Sequence, residues 1–204
     1  MFTFTPSPIK HTVPAVPSQT NRGDTFKENA TATTVKLANC SVEGRRRKRD
    51  MKRYERDTTH CRNPERIHPS RITCEASTEF DKDKYGCDHA FSSDKKTRWA
   101  SHGEGVGAWI KATFCSTKYI TKMELLQGNV PSSANKRVTI EFNPDEQPKS
   151  VTLKKIGNRE SDYNIINLSD DNIRADYVNI TITAVYGQVN NGFSVIKIWG
   201  CDYH

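Results

Sequence analysis

The stretch Ala108-Trp109-Ile110-Lys111-Ala112-Thr113-Phe114 decides how this chain is read. Ala108, Ile110, Ala112 and Phe114 fall on one face; Trp109, Lys111 and Thr113 fall on the other. A period of two is the signature of a strand buried on one side. Just upstream lie Thr97-Arg98-Trp99-Ala100-Ser101 and a glycine-rich turn, His102 to Gly107.

Strand-like segments of the same kind recur at 72–78, 120–126, 137–142, 150–153, 164–168, 177–185 and 193–199. In the cleanest, Val178, Ile180 and Ile182 face inward and Asn179 outward. Gly128-Asn129-Val130-Pro131, Asn143-Pro144-Asp145, Gly157-Asn158 and Asn190-Asn191-Gly192 supply turn chemistry between the runs. No amphipathic helix longer than a turn or two is visible. Many short strands at this spacing predict an all-β antiparallel sandwich or barrel.

The chain has 204 residues and a net charge of +7. Residues 1–60 hold twelve Lys and Arg against six Asp and Glu, whereas 61–204 hold nineteen against eighteen. The basic excess therefore belongs to the N-terminal part. A nucleic-acid-binding domain carries its excess on a folded face, so nucleic acid is not an expected partner. No apolar run approaches the ~20 residues of a membrane-spanning helix. The first residues show no signal peptide, which leaves a cytosolic chain or a piece of a longer secreted or membrane protein.

Six cysteines, Cys40, Cys61, Cys74, Cys87, Cys115 and Cys201, lack the spacing of a zinc site and read as disulfides. Disulfides imply an oxidising compartment. Four N-x-S/T sequons, at Asn29, Asn39, Asn167 and Asn179, agree with an extracellular destination.

Residues 1–60 read as a disordered, Pro/Thr-rich and basic arm, and 61–204 as the folded domain. Arg22-Gly23-Asp24 in the arm is a tripeptide integrins read when exposed, and a chance tripeptide is the plainer reading. Arg46-Arg47-Lys48-Arg49 fits a furin-like processing site, whose acidic protease cleft takes several basic side chains at once. A solvated linker and a nuclear signal are the competing readings.

From about Thr73 to Cys201 the chain resembles the discoidin, or coagulation factor V/VIII type C, domain family. The residues that carry the resemblance are Ala76-Ser77-Thr78, then Ala90-Phe91 with Asp94 and Thr97 to Ser101, then Gly107 to Ile110 with Phe114. Ile120 to Gln127, Arg174 to Val178, Tyr186 to Phe193 and Ile196 to Cys201 complete the order. The family fold is a galactose-binding-like jelly-roll β-sandwich, and its members are binding modules, not enzymes. Nothing here matches a nucleophile elbow, a metal-ligand spacing or a phosphate loop, so no catalytic residue is expected.

The resemblance implies ligand loops at 79–87, 102–107 and 128–136. Tyr85, His89, His102, Glu104, Asn129, Lys136 and Asn190 are the candidate polar and aromatic ligand residues near the end of the sandwich that carries them. These loops read as nearly without large exposed apolar residues, which argues against membrane insertion. Trp99 and Trp109 are expected as core aromatics, and Arg98 as a partner of a carboxylate or of loop carbonyls. Many relatives hold a structural calcium in the loop corresponding to 91–97. Asp94 and Thr97 are its candidate ligands here, although Ser92-Ser93 replaces the usual Asp-Gly. The family bridge between the domain ends would join Cys201 to Cys61 or Cys74, with Cys87–Cys115 as a second pair and Cys40 left for the remaining cysteine. Together these features imply an extracellular, non-catalytic module for adhesion or for carbohydrate and glycoprotein recognition, within a larger protein. A peripheral phospholipid-binding domain and a matrix protein with an integrin-binding arm are the alternatives.

Overall fold

The computed structural model describes residues 61–203, apart from Asn129, Asp145, Asn172, Gln188 and Val189. The expected arm lies outside the described residues, with Arg22-Gly23-Asp24, Arg46 to Arg49, Cys40, Asn29 and Asn39. So does the candidate ligand residue Asn129.

The strands are β1 (Glu65–Arg66), β2 (Ile72–Ala76), β3 (Trp99–Ala100), β4 (Trp109–Leu126), β5 (Asn135–Glu141), β6 (Lys149–Thr152), β7 (Asn164–Asn167), β8 (Ile173–Val185), β9 (Gly192–Phe193) and β10 (Val195–Asp202). Two short helices, α1 (Lys82–Tyr85) and α2 (Cys87–Phe91), separate β2 from β3. Every strand pair is antiparallel. The molecule is an all-β antiparallel sandwich. Among the described residues no helix is long and apolar enough to cross a membrane.

β4 organises the rest. It joins two segments that the alternation separates, 108–114 and 120–126, into eighteen continuous residues. Its first half pairs with β2 and β8, its second with β10, β7 and the start of β8. The pairing with β8 is irregular between Thr113 and Lys118, where Cys115 and Ser116 are exposed. There the strand bends from one layer to the other. A second irregularity opposite Trp199/Gly200 leaves Thr121 as the extra residue, so the buried phase moves from Ile120 to Met123. One extra residue flips every later side chain to the other face.

The two layers share one apolar core, which includes Ile110, Ala112, Ile120, Met123, Val138, Ile140, Ile180 and Ile198. Trp99 is fully buried and stacks on Phe193 with ring centroids 6.4 Å apart. Trp109 departs from expectation: it sits half-buried on the outward face of β4, as the alternation alone requires.

Cys61 bonds to Cys201, so the bridge between the domain ends uses Cys61 and not Cys74. The expected Cys87–Cys115 pair is corrected. Cys87 bonds to Cys74, with the Cα atoms 6.0 Å apart, because α2 docks on β2 and brings the two together. Cys115 lies on the exposed bend of β4 and is also disulfide-bonded.

Near the bridge between the domain ends, the buried Lys118 ammonium donates to Asp202 and to the Ser116 hydroxyl, and Arg71 lies 3.8 Å from Asp202. The bond from Lys118 holds the Asp202 carboxyl below the usual carboxylate range, against the opposing effect of burial. A carboxyl lowered by folding stabilises the fold fully above its unfolded value, about 3.9. That contribution is lost as pH falls through the lowered folded value. An Asp202→Asn chain is therefore expected to be less stable at neutral pH, with the deficit closing below about pH 4. Denaturant midpoints measured against pH check this, and a deficit that stays constant into acid would contradict it.

Candidate functional site

Four loops meet at one end of the sandwich, and hydrogen bonds join them into one surface. Ser101 N–H donates to the Asn191 carbonyl at 2.9 Å, and Gly103 N–H to Asn190 Oδ1 at 2.6 Å. Asn191 Nδ2 donates to the Ser133 carbonyl at 2.8 Å, and Tyr186 N–H to the Ala134 carbonyl at 3.1 Å. Asn190 adopts φ of 67°, a left-handed conformation that asparagine tolerates better than most residues.

Glu104 ties the turn at 102–107 to the segment leaving β2. One of its oxygens accepts from the Ser77 hydroxyl at 2.5 Å and the Thr78 hydroxyl at 2.8 Å. Those hydroxyls accept in turn from Trp109 N–H and His102 N–H. Each hydroxyl thus donates once and accepts once.

On this base stands a row of rings. Phe80 is 48% exposed and its N–H is anchored to the Ala100 carbonyl at 2.8 Å. Tyr85 meets it edge-on at 5.8 Å and His102 at 5.6 Å. The Arg98 guanidinium lies over the Tyr85 ring at 5.2 Å. Edge-to-face packing keeps the rings in fixed orientation while about half of Phe80 stays open to solvent.

The structure thus brings together four of the expected ligand residues: Tyr85, His102, Glu104 and Asn190. His89 sits on α2 and gives its carbonyl to the neighbouring loop 91–97, while Lys136 lies exposed on β5. Phe80 and Arg98 were not in the expected set. The signal for Phe80 was a lone aromatic between Glu79 and Asp81 in a polar run. The expectation of loops nearly without exposed apolar residues is also corrected. Each ligand loop exposes one such side chain: Phe80, Val106 at 57% and Val130 at 43%. Residues 79–87, expected as loop, include the single turn α1, capped by Asp81 accepting from Asp83 N–H and Lys84 N–H. Of the two sequons in the described region, Asn167 is exposed, whereas Asn179 donates to Glu141 at 3.1 Å on the outer sheet face.

The loop 91–97, which holds the candidate calcium ligands Asp94 and Thr97, is pinned by hydrogen bonds of its own. The Thr97 hydroxyl lies 2.9 Å from the Asp94 carbonyl and 3.3 Å from that of His89, and Asp94 Oδ1 accepts from Lys96 N–H at 2.9 Å. Arg66 on β1 brings the positive charge: it donates to the Phe91 carbonyl at 3.0 Å and the Ser93 hydroxyl at 2.7 Å. Among the described residues, no three His, Cys, Asp or Glu side chains are grouped to hold an ion. The thermal midpoint is expected to be the same in millimolar calcium and in chelator. A saturable rise with calcium would overturn this account of the loop.

The sequence of residues 68–198 matches the family model described as the NAD glycohydrolase translocation F5/8 type C domain. The chain belongs to that family. Solved structures agree on the fold. A family 32 carbohydrate-binding module of Clostridium perfringens NanJ, solved with galactose, superposes with a TM-score of 0.56 at 12% identity, covering 67% of this chain and 99% of that one. An F5/8 type C domain of Bacteroides fragilis gives 0.55 at 14% identity, covering 69% and 98%. A module from a family 31 glycoside hydrolase of C. perfringens gives 0.54 at 19% identity, covering 66% and 94%. No curated protein matches the sequence. At these identities the likeness speaks for the fold alone, and it makes this F5/8 type C domain the galactose-binding-like jelly roll that its sequence resembles.

Proposed function

We propose that this F5/8 type C domain is a non-catalytic glycan-binding module that acts outside the cell, in adhesion or capture of glycoproteins. A sugar ring stacks on the exposed part of Phe80, and His102, Arg98, Glu104 and Asn190 supply polar groups around it. The observation that carries this reading is the exposed Phe80 braced between Tyr85 and His102. An aromatic face with a few converging polar groups is the usual make-up of a sugar site. Support comes also from the relatives of the same fold, solved with galactose and with GalNAc-β-1,3-galactose. The family description names translocation of an NAD glycohydrolase. A module that captures surface glycans suits such a role by holding a cargo at the cell surface.

Phe80→Ala is expected to weaken glycan binding roughly tenfold, as about 1.5 kcal/mol of apolar contact is lost. Because Phe80 is half exposed, the midpoint of unfolding should barely move. A glycan array followed by titration of the strongest hit checks both. Undiminished affinity in the variant would sink the stacking role.

A second reading has its own observation. Phe80, Val106 and Val130 each stand exposed on a different ligand loop, the pattern of a surface that buries apolar side chains in a lipid interface. Retention on vesicles, combined with a blank glycan array, would replace the first reading by this one.

A further inference from the structure

The segment that presents Phe80 and Tyr85 has little of its own to hold it in place. Between Ser77 and Gly86 the only buried residue is Gly86. Its helix α1 is a single turn of four residues, far below the length at which a helix persists alone. On the entry side the segment is secured by the Glu104 bonds to Ser77 and Thr78 and by Phe80 N–H on the Ala100 carbonyl. On the exit side, beyond Tyr85, the chain runs into α2, which packs on the core through Cys87, Ala90 and Phe91, and Cys87 carries two further ties. Cys87 N–H donates to Glu79 at 2.7 Å, and Cys87 is bonded to Cys74 across thirteen positions. Cys74 lies on β2, in the sheet, paired opposite Ala112 of β4. The disulfide therefore ties the far end of the presenting segment to the rigid sheet.

We propose that the Cys74–Cys87 disulfide is the preorganising clamp of the ligand platform, fixing Tyr85 against Phe80 so that the row is ready before a ligand arrives. The proposal rests on the reading of that row as the ligand site. Its physical basis is that a surface segment with few buried contacts samples many conformations unless a covalent tie removes them. Apparent affinity falls in proportion to the fraction of molecules in the competent state. If opening the clamp leaves a tenth of the molecules competent, binding weakens tenfold without loss of any ligand contact.

The clamp separates from a general fold-stabilising bond by where its loss is felt. The test compares the wild-type domain with Cys74→Ser/Cys87→Ser, with Cys74→Val/Cys87→Ala should the first pair fold poorly, and with Phe80→Ala. Amide hydrogen exchange is read peptide by peptide, and affinity is read on a surface bearing a galactose-terminated glycoprotein. The expected result is faster exchange across 77–86 by tenfold or more with β4 and β8 still protected, and roughly tenfold weaker binding. Phe80→Ala should weaken binding with no change in exchange across 77–86. Unchanged exchange at 77–86 in the disulfide variants overturns the proposal, and so does equal loss of protection throughout β4 and β8. Faster exchange at 77–86 in a protein whose wild type ignores the galactose surface supports the clamp and counts against the glycan reading alone.

Discussion

A Cys61→Ser/Cys201→Ser chain is expected to lose about 5 kcal/mol of stability, the entropy that the chain model assigns to a cross-link closing so long a loop. The two cysteines are 140 positions apart, so the bond spans nearly the whole domain. What it secures could not hold itself. β1 has two residues, which pair with Gly200 and Trp199 of β10, and one further bond runs from Ile67 N–H to the Ile198 carbonyl at 2.8 Å. β1 also delivers Arg66 to the loop 91–97, so detaching it removes that loop's internal cation. Domains of this size are stable by only about 5–15 kcal/mol, so the loss consumes a third of the reserve or all of it. The denaturant midpoint should fall far, and for a variant that still folds the slope should report a less compact unfolded state. An unchanged midpoint would mean that the ends are held by packing alone.

The second large effect is expected at Trp99. Its side chain is fully buried, stacks on Phe193, and donates its indole N–H to the Thr78 carbonyl at 3.0 Å. Trp99→Ala should cost about 3–5 kcal/mol through the cavity it leaves. Trp99→Phe keeps most of the packing and loses the donor, so its cost should be nearer 1–3 kcal/mol, that of a buried carbonyl left unpaired. The cost of Trp99→Phe thus reports mainly the lost hydrogen bond, and the difference between the two variants reports the packing. Because Thr78 also carries the hydroxyl that binds Glu104, Trp99→Phe should disturb the ligand loop more than its modest cost suggests. Exchange rates at 77–86 would show this, and a cost below about 1 kcal/mol for Trp99→Ala would remove Trp99 from the core.

Much of the fold is legible in the order of residues alone. The alternation from Ala108 to Phe114 marks a half-buried strand, and Ala108, Ile110, Ala112 and Phe114 are all buried. The same logic sets Val178, Ile180 and Ile182 inward, where they lie. The bend at 114–117 and the extra residue at Thr121 are not legible in that way. Pairing irregularities depend on the partner strand, which local sequence does not name. Cys87 illustrates the same limit: its partner follows from α2 docking on β2, a contact that spacing does not encode.

The candidate site divides along that line. Turn chemistry places His102, Glu104 and Asn190 in loops, because glycine, asparagine and small polar residues mark turns locally, and the family resemblance implies that those loops lie at the ligand end. The roles of those residues come only from the fold. Glu104 and Asn190 spend oxygens on holding loops together, and Arg98 stacks on Tyr85. Phe80 is the clearest case. By itself the sequence determined short antiparallel strands of a sandwich or barrel and the turns between them, since strand period and turn residues are properties of neighbours along the chain. Whether an aromatic in such a loop is buried or offered to solvent is decided by residues distant in sequence: Tyr85 and His102 brace its edges, and only the tertiary structure brings them there.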